Sequence, residues 1–169
     1  MNILNKMACC AALAAMAVMI PVHANAATDN DKKFLAMAAQ SDVNEIALSK
    51  LAEQKATNPA VKAFAKKMIS EHTMLTNSMK PFAKSWGLNP PVGPDSDTKQ
   101  EWDKLNKLSG HDFDKEYIDH MVSDHAKCLD AFTDEAQDTK DAKFKTAVLK
   151  GKTVVAAHKN MAWDLQKKL

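Results

Sequence analysis

No arginine occurs anywhere in the 169 residues. Basic charge is carried by lysine alone, singly and in pairs, with no basic run and no interleaved aromatics. A nucleic-acid reader needs a basic face, so no nucleic-acid partner is expected. Only 4 glycines occur, and no phosphate-binding glycine loop or dinucleotide fingerprint is among them. Runs of β-branched residues are missing, as are the alternating ten-residue segments of an outer-membrane barrel. No nucleophile–base motif stands out.

Long apolar runs are also scarce. The one candidate, Met7 to Ile20, covers about 14 residues, short of the roughly 20 that a spanning helix needs. One lysine precedes it, Pro21 follows it, and Ala24-Asn25-Ala26 is a small-x-small site. This is the pattern of a secretory signal peptide over residues 1–26, cut after Ala26; an uncleaved anchor is the alternative. Cleavage would remove Cys9 and Cys10, leaving Cys128 as the only thiol, so no internal disulfide is expected. Lys6 would leave with the leader, and the net charge of +2 would fall to about +1. The expected destination is the periplasm, with association with the outer membrane as a second possibility. The remainder, 27–169, is short enough for one domain, without a transmembrane segment.

What remains is rich in Ala, Lys, Met, Leu, Gln and Glu, the helix formers. Apolar residues three and four apart mark four long amphipathic helices. The first is expected over about 31–55, with Phe34, Ala38, Ser41, Glu45, Leu48 and Ala52 inward. Asn58 and Pro59 are an N-cap and first-turn pair, opening a second helix to about Trp86 that Pro81 should kink or interrupt. Its inward face carries Val61, Phe64, Met68, His72, Leu75 and Met79. A Pro/Gly-rich connection, "GLNPPVGPDSD", leads to a short helix that Gly110 is expected to end. The third long helix, about 112–137, turns Phe113, Tyr117, Met121, His125, Cys128 and Phe132 inward. The fourth starts at Asp141 and turns Phe144, Val148, Gly151, Val155, His158 and Ala162 inward. Four such stripes can be buried only against one another, which predicts an all-α four-helix bundle.

"MISEH" at 68–72 and "MVSDH" at 121–125 place a Met and a His on one face of the second and third helices, each with an acidic residue before the His. Projected at 100° per residue, Glu45, His72, His125 and His158 all fall near the centre of their inward faces. Counted along the helical rise, Glu45 and His72 lie roughly 18 and 22 Å from the same end, and the other two are near mid-helix. One polar side chain from every helix therefore converges on one level. Burying a carboxylate and three imidazoles is costly unless they pair or bind a cation. The same four groups are standard ligands for a zinc, iron, manganese or copper ion. The competing reading is a metal-free polar network that fixes helix register. Glu71, Asp124, Asp114 and Tyr117 are candidate outer partners of the ligands. Solvated flanks for the first two, and a helix-start carboxylate for Asp114, are the plainer alternatives. Met68, Met121 and Cys128 share the histidine faces; copper(I) ligation is one role for them and core packing the other.

The stretches "FLAMAAQSDVNEIALSKLAEQKATNPAVKAFAKKMISEHTML" and "LSGHDFDKEYIDHMVSDHAKCLDAF", with the late His158, resemble the bacterial family called domain of unknown function 4142. The likeness covers about 33–165. That family is often labelled an outer-membrane protein and is grouped with ferritin-like four-helix folds. The resemblance implies an export signal and a ferritin-like bundle but no established activity. Di-iron ferritins need Glu-x-x-His on two helices; here Ile69, Val122 and Val155 stand three residues before the histidines, so ferroxidase chemistry is not expected. The expectation is an exported protein binding a single transition-metal ion at Glu45, His72, His125 and His158, for storage, sensing or an envelope stress role. A structural or interaction protein of the envelope, with an envelope partner or a second copy of itself, is the alternative. A metal-dependent redox enzyme is a third.

Overall fold

A computed structural model describes residues 26–169, so the expected leader lies almost wholly outside the described residues. The described chain is all helical: α1 Asp29–Lys55, α2 Pro59–Ser85, α3 Ser96–Lys107, α4 Gly110–Asp138 and α5 Ala142–Gln166. The four long helices form the bundle, and α3 is the short helix of the connection. Among the described residues no helix is long and apolar enough to cross a membrane.

The helix starts follow local chemistry. Thr28 and Asp31 form a reciprocal capping box at α1, Asn58 accepts from the Ala60 N–H at α2, and Asp141 accepts from Lys143 and Phe144 at α5. Each satisfies N–H groups that a helix cannot bond internally. Of the two outcomes expected at Pro81, interruption does not occur: α2 continues to Ser85. Pro81 and Asn77 are both exposed, so the carbonyl that loses its amide partner can bond water. Gly110 does not end the short helix, which stops at Lys107; with φ of 60° it opens α4 and lets the chain reverse direction there.

α1 and α2 form one antiparallel hairpin, α4 and α5 another, and α1 packs beside α4 while α2 packs beside α5. The chain between the hairpins crosses the full length of the bundle. The C-terminal half of α1, the start of α2, Leu105 of α3 and the start of α4 all share one apolar cluster. The start of α1, the end of α2, the end of α4 and the start of α5 share the other. One long crossover is the connectivity of ferritin-like bundles.

The core is therefore two apolar clusters. One is built on Met68, Phe113, Tyr117 and Met121, the other on Phe34, Phe132, Phe144 and Val148. In the second, α4 and α5 approach so closely that a Cβ on Gly151 would sit 2.4 Å from the Phe132 ring. Between the clusters lies a layer of buried polar side chains: Asp42, Glu45, His72, His125 and His158.

Candidate metal centre

His72, His125 and His158 come from α2, α4 and α5 and are at most 2% exposed. Their ring centroids form a nearly equilateral triangle, with sides of 5.6, 5.1 and 5.5 Å. One nitrogen of each ring lies within 4.8 Å of the other two. A trigonal ion bonded at about 2.0–2.1 Å needs its nitrogens about 3.5 Å apart, a small side-chain adjustment from that spacing.

The opposite nitrogen of each ring is held from behind. His72 Nδ1 donates to Asp42 Oδ1 at 2.8 Å, and Asp42 Oδ2 accepts from Thr76 Oγ1 at 2.8 Å. His158 Nε2 donates to Glu71 Oε2 at 2.6 Å, and Glu71 is paired with Lys67. His125 Nδ1 donates to the Met121 carbonyl at 2.9 Å. Each acceptor fixes the tautomer, because a carboxylate or a carbonyl can only receive a proton. The remaining nitrogens, His72 Nε2, His125 Nε2 and His158 Nδ1, keep their lone pairs and have no hydrogen-bond partner. Such outer acceptors accompany nearly every metal-binding histidine, orienting the ring and raising its basicity.

The electrostatics keep the His125 and His158 rings neutral. Burial, and then the nearness of His72 and His158, hold His125 down at about 3. Burial likewise lowers His158 to about 4, against the opposing pull of Glu71. Burial would raise the Glu71 carboxyl, but its bonds to Lys67 and His158 outweigh that and leave it lowered. Three imidazoles with converging, partnerless nitrogens can hold a first-row transition metal.

The other anticipated residues are placed differently. Glu45 is buried in the same layer but stands behind His125, with Oε1 3.6 Å from His125 Nδ1, and does not join the converging nitrogens. Burial and the neighbouring Asp124 carboxyl push it well above the usual carboxylate range. Asp124 thus acts chiefly on Glu45, and its charge is also felt at His125. Glu71 does serve a histidine, bonding His158 across the α2–α5 seam. Asp114 is remote: its carboxylate accepts from Thr57 N, Thr57 Oγ1 and Asn58 N, tying down the α1–α2 turn. Tyr117 belongs to the neighbouring apolar cluster and bonds Ser49 at 2.8 Å. Met68 and Met121 pack in that cluster too. Cys128 lies 3.9 Å from Ser41, outside the nitrogen triangle, and burial raises its thiol to about 12.

Asp42 and Thr76 are not among the expected site residues. On an inward face of α1 that contains Ser41 and Glu45, Asp42 lies at the edge. Its position three residues before Glu45 was the available signal, as was the position of Thr76 four residues after His72.

A sequence profile described as Domain of unknown function (DUF4142) matches residues 18–165. The chain belongs to this family. No curated protein matches it. The bundle is also that of CopM. The Cu(I)-bound form of CopM aligns with a TM-score of 0.69 at 20% identity, over 85% of this chain and 98% of that one. The Cu(II)-bound form gives 0.67 at 18%, over 82% and 96%. The Ag-bound form, obtained by co-crystallization, gives 0.65 at 19%, over 82% and 96%. At such identities the likeness is one of fold.

Proposed function

We propose that this protein binds one copper ion at His72, His125 and His158, and that it holds or carries the ion instead of catalysing a reaction with it. The observation that supports this best is the set of three buried, partnerless ring nitrogens aimed at one point. A network that served only to fix helix register would satisfy those nitrogens, since an unpaired buried polar atom costs about 1–3 kcal/mol. An ion converts that cost into binding energy.

Copper is favoured over zinc, iron and manganese by the donor set. It is all imidazole, with no carboxylate among the converging atoms, and imidazole suits copper, whereas carboxylate-rich sites suit manganese. Iron oxygenase sites add a carboxylate to two histidines, and here Glu45 stands outside the triangle. Zinc also takes three histidines and is the main competitor. The likeness to CopM, which has been seen with Cu(I), Cu(II) and Ag, adds weight to copper. The leader-like segment at residues 1–26 supports export, and we place the protein in the periplasm on that basis.

The test is metal analysis of untagged protein recovered from the periplasm, followed by competition of the apo protein between copper and zinc. One equivalent of copper, retained against excess zinc and lost in His72→Ala, His125→Ala and His158→Ala, is the expected result. Protein that takes up no metal, or binds it equally well in all three variants, would leave the metal-free network as the better reading.

A further inference from the structure

The histidine layer has two flanks, and they differ in charge. On the side of α2 and α5, the groove next to Glu71 is lined by Lys143 and Lys150, and Lys67 is bound to Glu71 itself. On the side where α1, α3 and α4 meet, a cavity of about 360 Å³ is lined by Glu45, Asp95, Asp97, Glu101, His120 and Asp124. Lys127 also stands on its wall, and Lys104 reaches Glu101 at 3.7 Å. Asp95 is partly engaged, capping α3 at Thr98 and accepting from the Asn44 amide.

The cavity is more than an acidic patch because of its floor. Glu45 is 2% exposed, and its Oε2 has no hydrogen-bond partner. Glu101 Oε1 is also buried and unpartnered. The second oxygen of Glu45 lies 3.6 Å from Nδ1 of His125, whose Nε2 is one of the three converging atoms. The cavity therefore ends one imidazole ring away from the centre.

We propose that this cavity is the port through which a hydrated divalent transition-metal cation reaches the histidine centre, with the Glu45 carboxyl as the innermost group that it meets. The inference rests on the reading that the triad binds metal, and adds the route and the charge state of the arriving ion. Acidic side chains outnumber the lysines on this wall, and a cleft dominated by one sign of charge concentrates counter-ions and raises association rates, by about 10–10³-fold where the charge is all of one sign. Carboxylate oxygens and the His120 imidazole can replace waters of a divalent ion one at a time. A soft monovalent ion gains little from carboxylates and feels only the field. Among the described residues the triad is where ligand atoms gather within 4.8 Å; the port carboxylates are spread along a wall, as suits an ion in passage.

The experiment is stopped-flow loading of the apo protein with Cu(II), and separately with Ag(I), at low and at moderate ionic strength. Final metal content is measured in the same samples. The double variant Asp97→Asn/Glu101→Gln changes the port and leaves the triad intact; Lys143→Gln/Lys150→Gln changes the opposite groove. The port variant should load Cu(II) about tenfold more slowly at low salt, reach the same final stoichiometry, and approach wild type as salt rises. Its Ag(I) loading should slow less, and the lysine variant should load Cu(II) within about twofold of wild type. Equal Cu(II) rates in port variant and wild type, with full stoichiometry in both, would overturn the port while leaving the triad reading intact. So would a rate that responds to the lysines and not to the acids. A wild-type protein that takes up neither ion would defeat the triad reading, and the port with it.

Discussion

Asp42 of α1 and His72 of α2 meet inside the bundle, with the carboxylate 2.8 Å from the ring Nδ1. The contact joins two helices and also decides which histidine nitrogen carries the proton. Asp42→Asn keeps the shape but removes the charge that polarises the ring. Outer carboxylates of this kind are worth about 10–100-fold in metal affinity. Competition against a chromophoric chelator should show a loss in that range, with the stoichiometry still at one. An unchanged affinity would mean that His72 does not act as a ligand through Nε2.

Two leucine substitutions should move the stability of the metal-free protein in opposite directions. The one hydrogen bond of the His125 ring goes to a backbone carbonyl, with Glu45 Oε1 beyond hydrogen-bond range at 3.6 Å, so His125→Leu removes a partnerless nitrogen and takes no hydrogen bond from a side chain. Urea melts of the apo protein should show it gaining about 1–3 kcal/mol while losing the ion. His72→Leu would strand the buried Asp42 carboxylate, and the apo protein should lose stability by a similar amount. Destabilisation by both would show that the layer is already satisfied without metal.

The pH dependence carries a definite sign. In the unfolded chain a histidine titrates near 6.5; folded, His125 and His158 are held at about 3 and about 4. Their contribution is complete above about pH 6.5 and is lost as the pH falls towards those folded values, because the unfolded state takes up protons that the native state refuses. Each contributes a slope of at most about 1.4 kcal/mol per pH unit in that window. Glu45 and Glu135 are raised in the folded state, Glu135 to about 7, and act in the opposite direction. The clean measurement is therefore the difference between wild type and His125→Leu. The apo variant's advantage should grow between pH 7 and pH 5, and a constant difference would contradict the depressed His125.

Asp114 supplies a control away from the site. Asp114→Ala leaves the N–H groups of Thr57 and Asn58 and the Thr57 hydroxyl without their acceptor. The expected cost is about 1–3 kcal/mol by urea melt, with metal affinity unchanged. A change in affinity would mean that the turn and the centre are coupled through α1 or α2.

The sequence carried the bundle almost whole, because spacing along one helix reports which residues share a face. The mid-face positions of His72, His125 and His158 were legible for the same reason. Periodicity does not say which neighbour a face meets, and that is where expectation and structure diverge. Glu71 stands out as a candidate outer partner, but periodicity does not say of which ring: it bonds His158 across the α2–α5 seam. Glu45 has the right height and nearly the right phase, yet it ends behind the His125 ring. Asp114 shares a face with Tyr117 and His125, but its carboxylate turns to a loop between two other helices. The route of α3 along the bundle depends on packing between distant segments, chiefly Leu105 in its apolar cluster, and left no periodic trace.

The division of the core has a mechanical consequence. His72 belongs to one helical hairpin, and His125 and His158 to the other. In the apo protein the hairpins adhere through two separate apolar patches, with a layer of unsatisfied nitrogens between them. An ion at that layer would act as a removable rivet, placed midway along the seam where adhesion is weakest. It would give a chain with no disulfide among its described residues a cross-link that is made and broken with metal supply. Opening of one hairpin from the other would then require breaking coordination bonds. Amide exchange along the seam, rather than at the helix ends, would record when the rivet is in place.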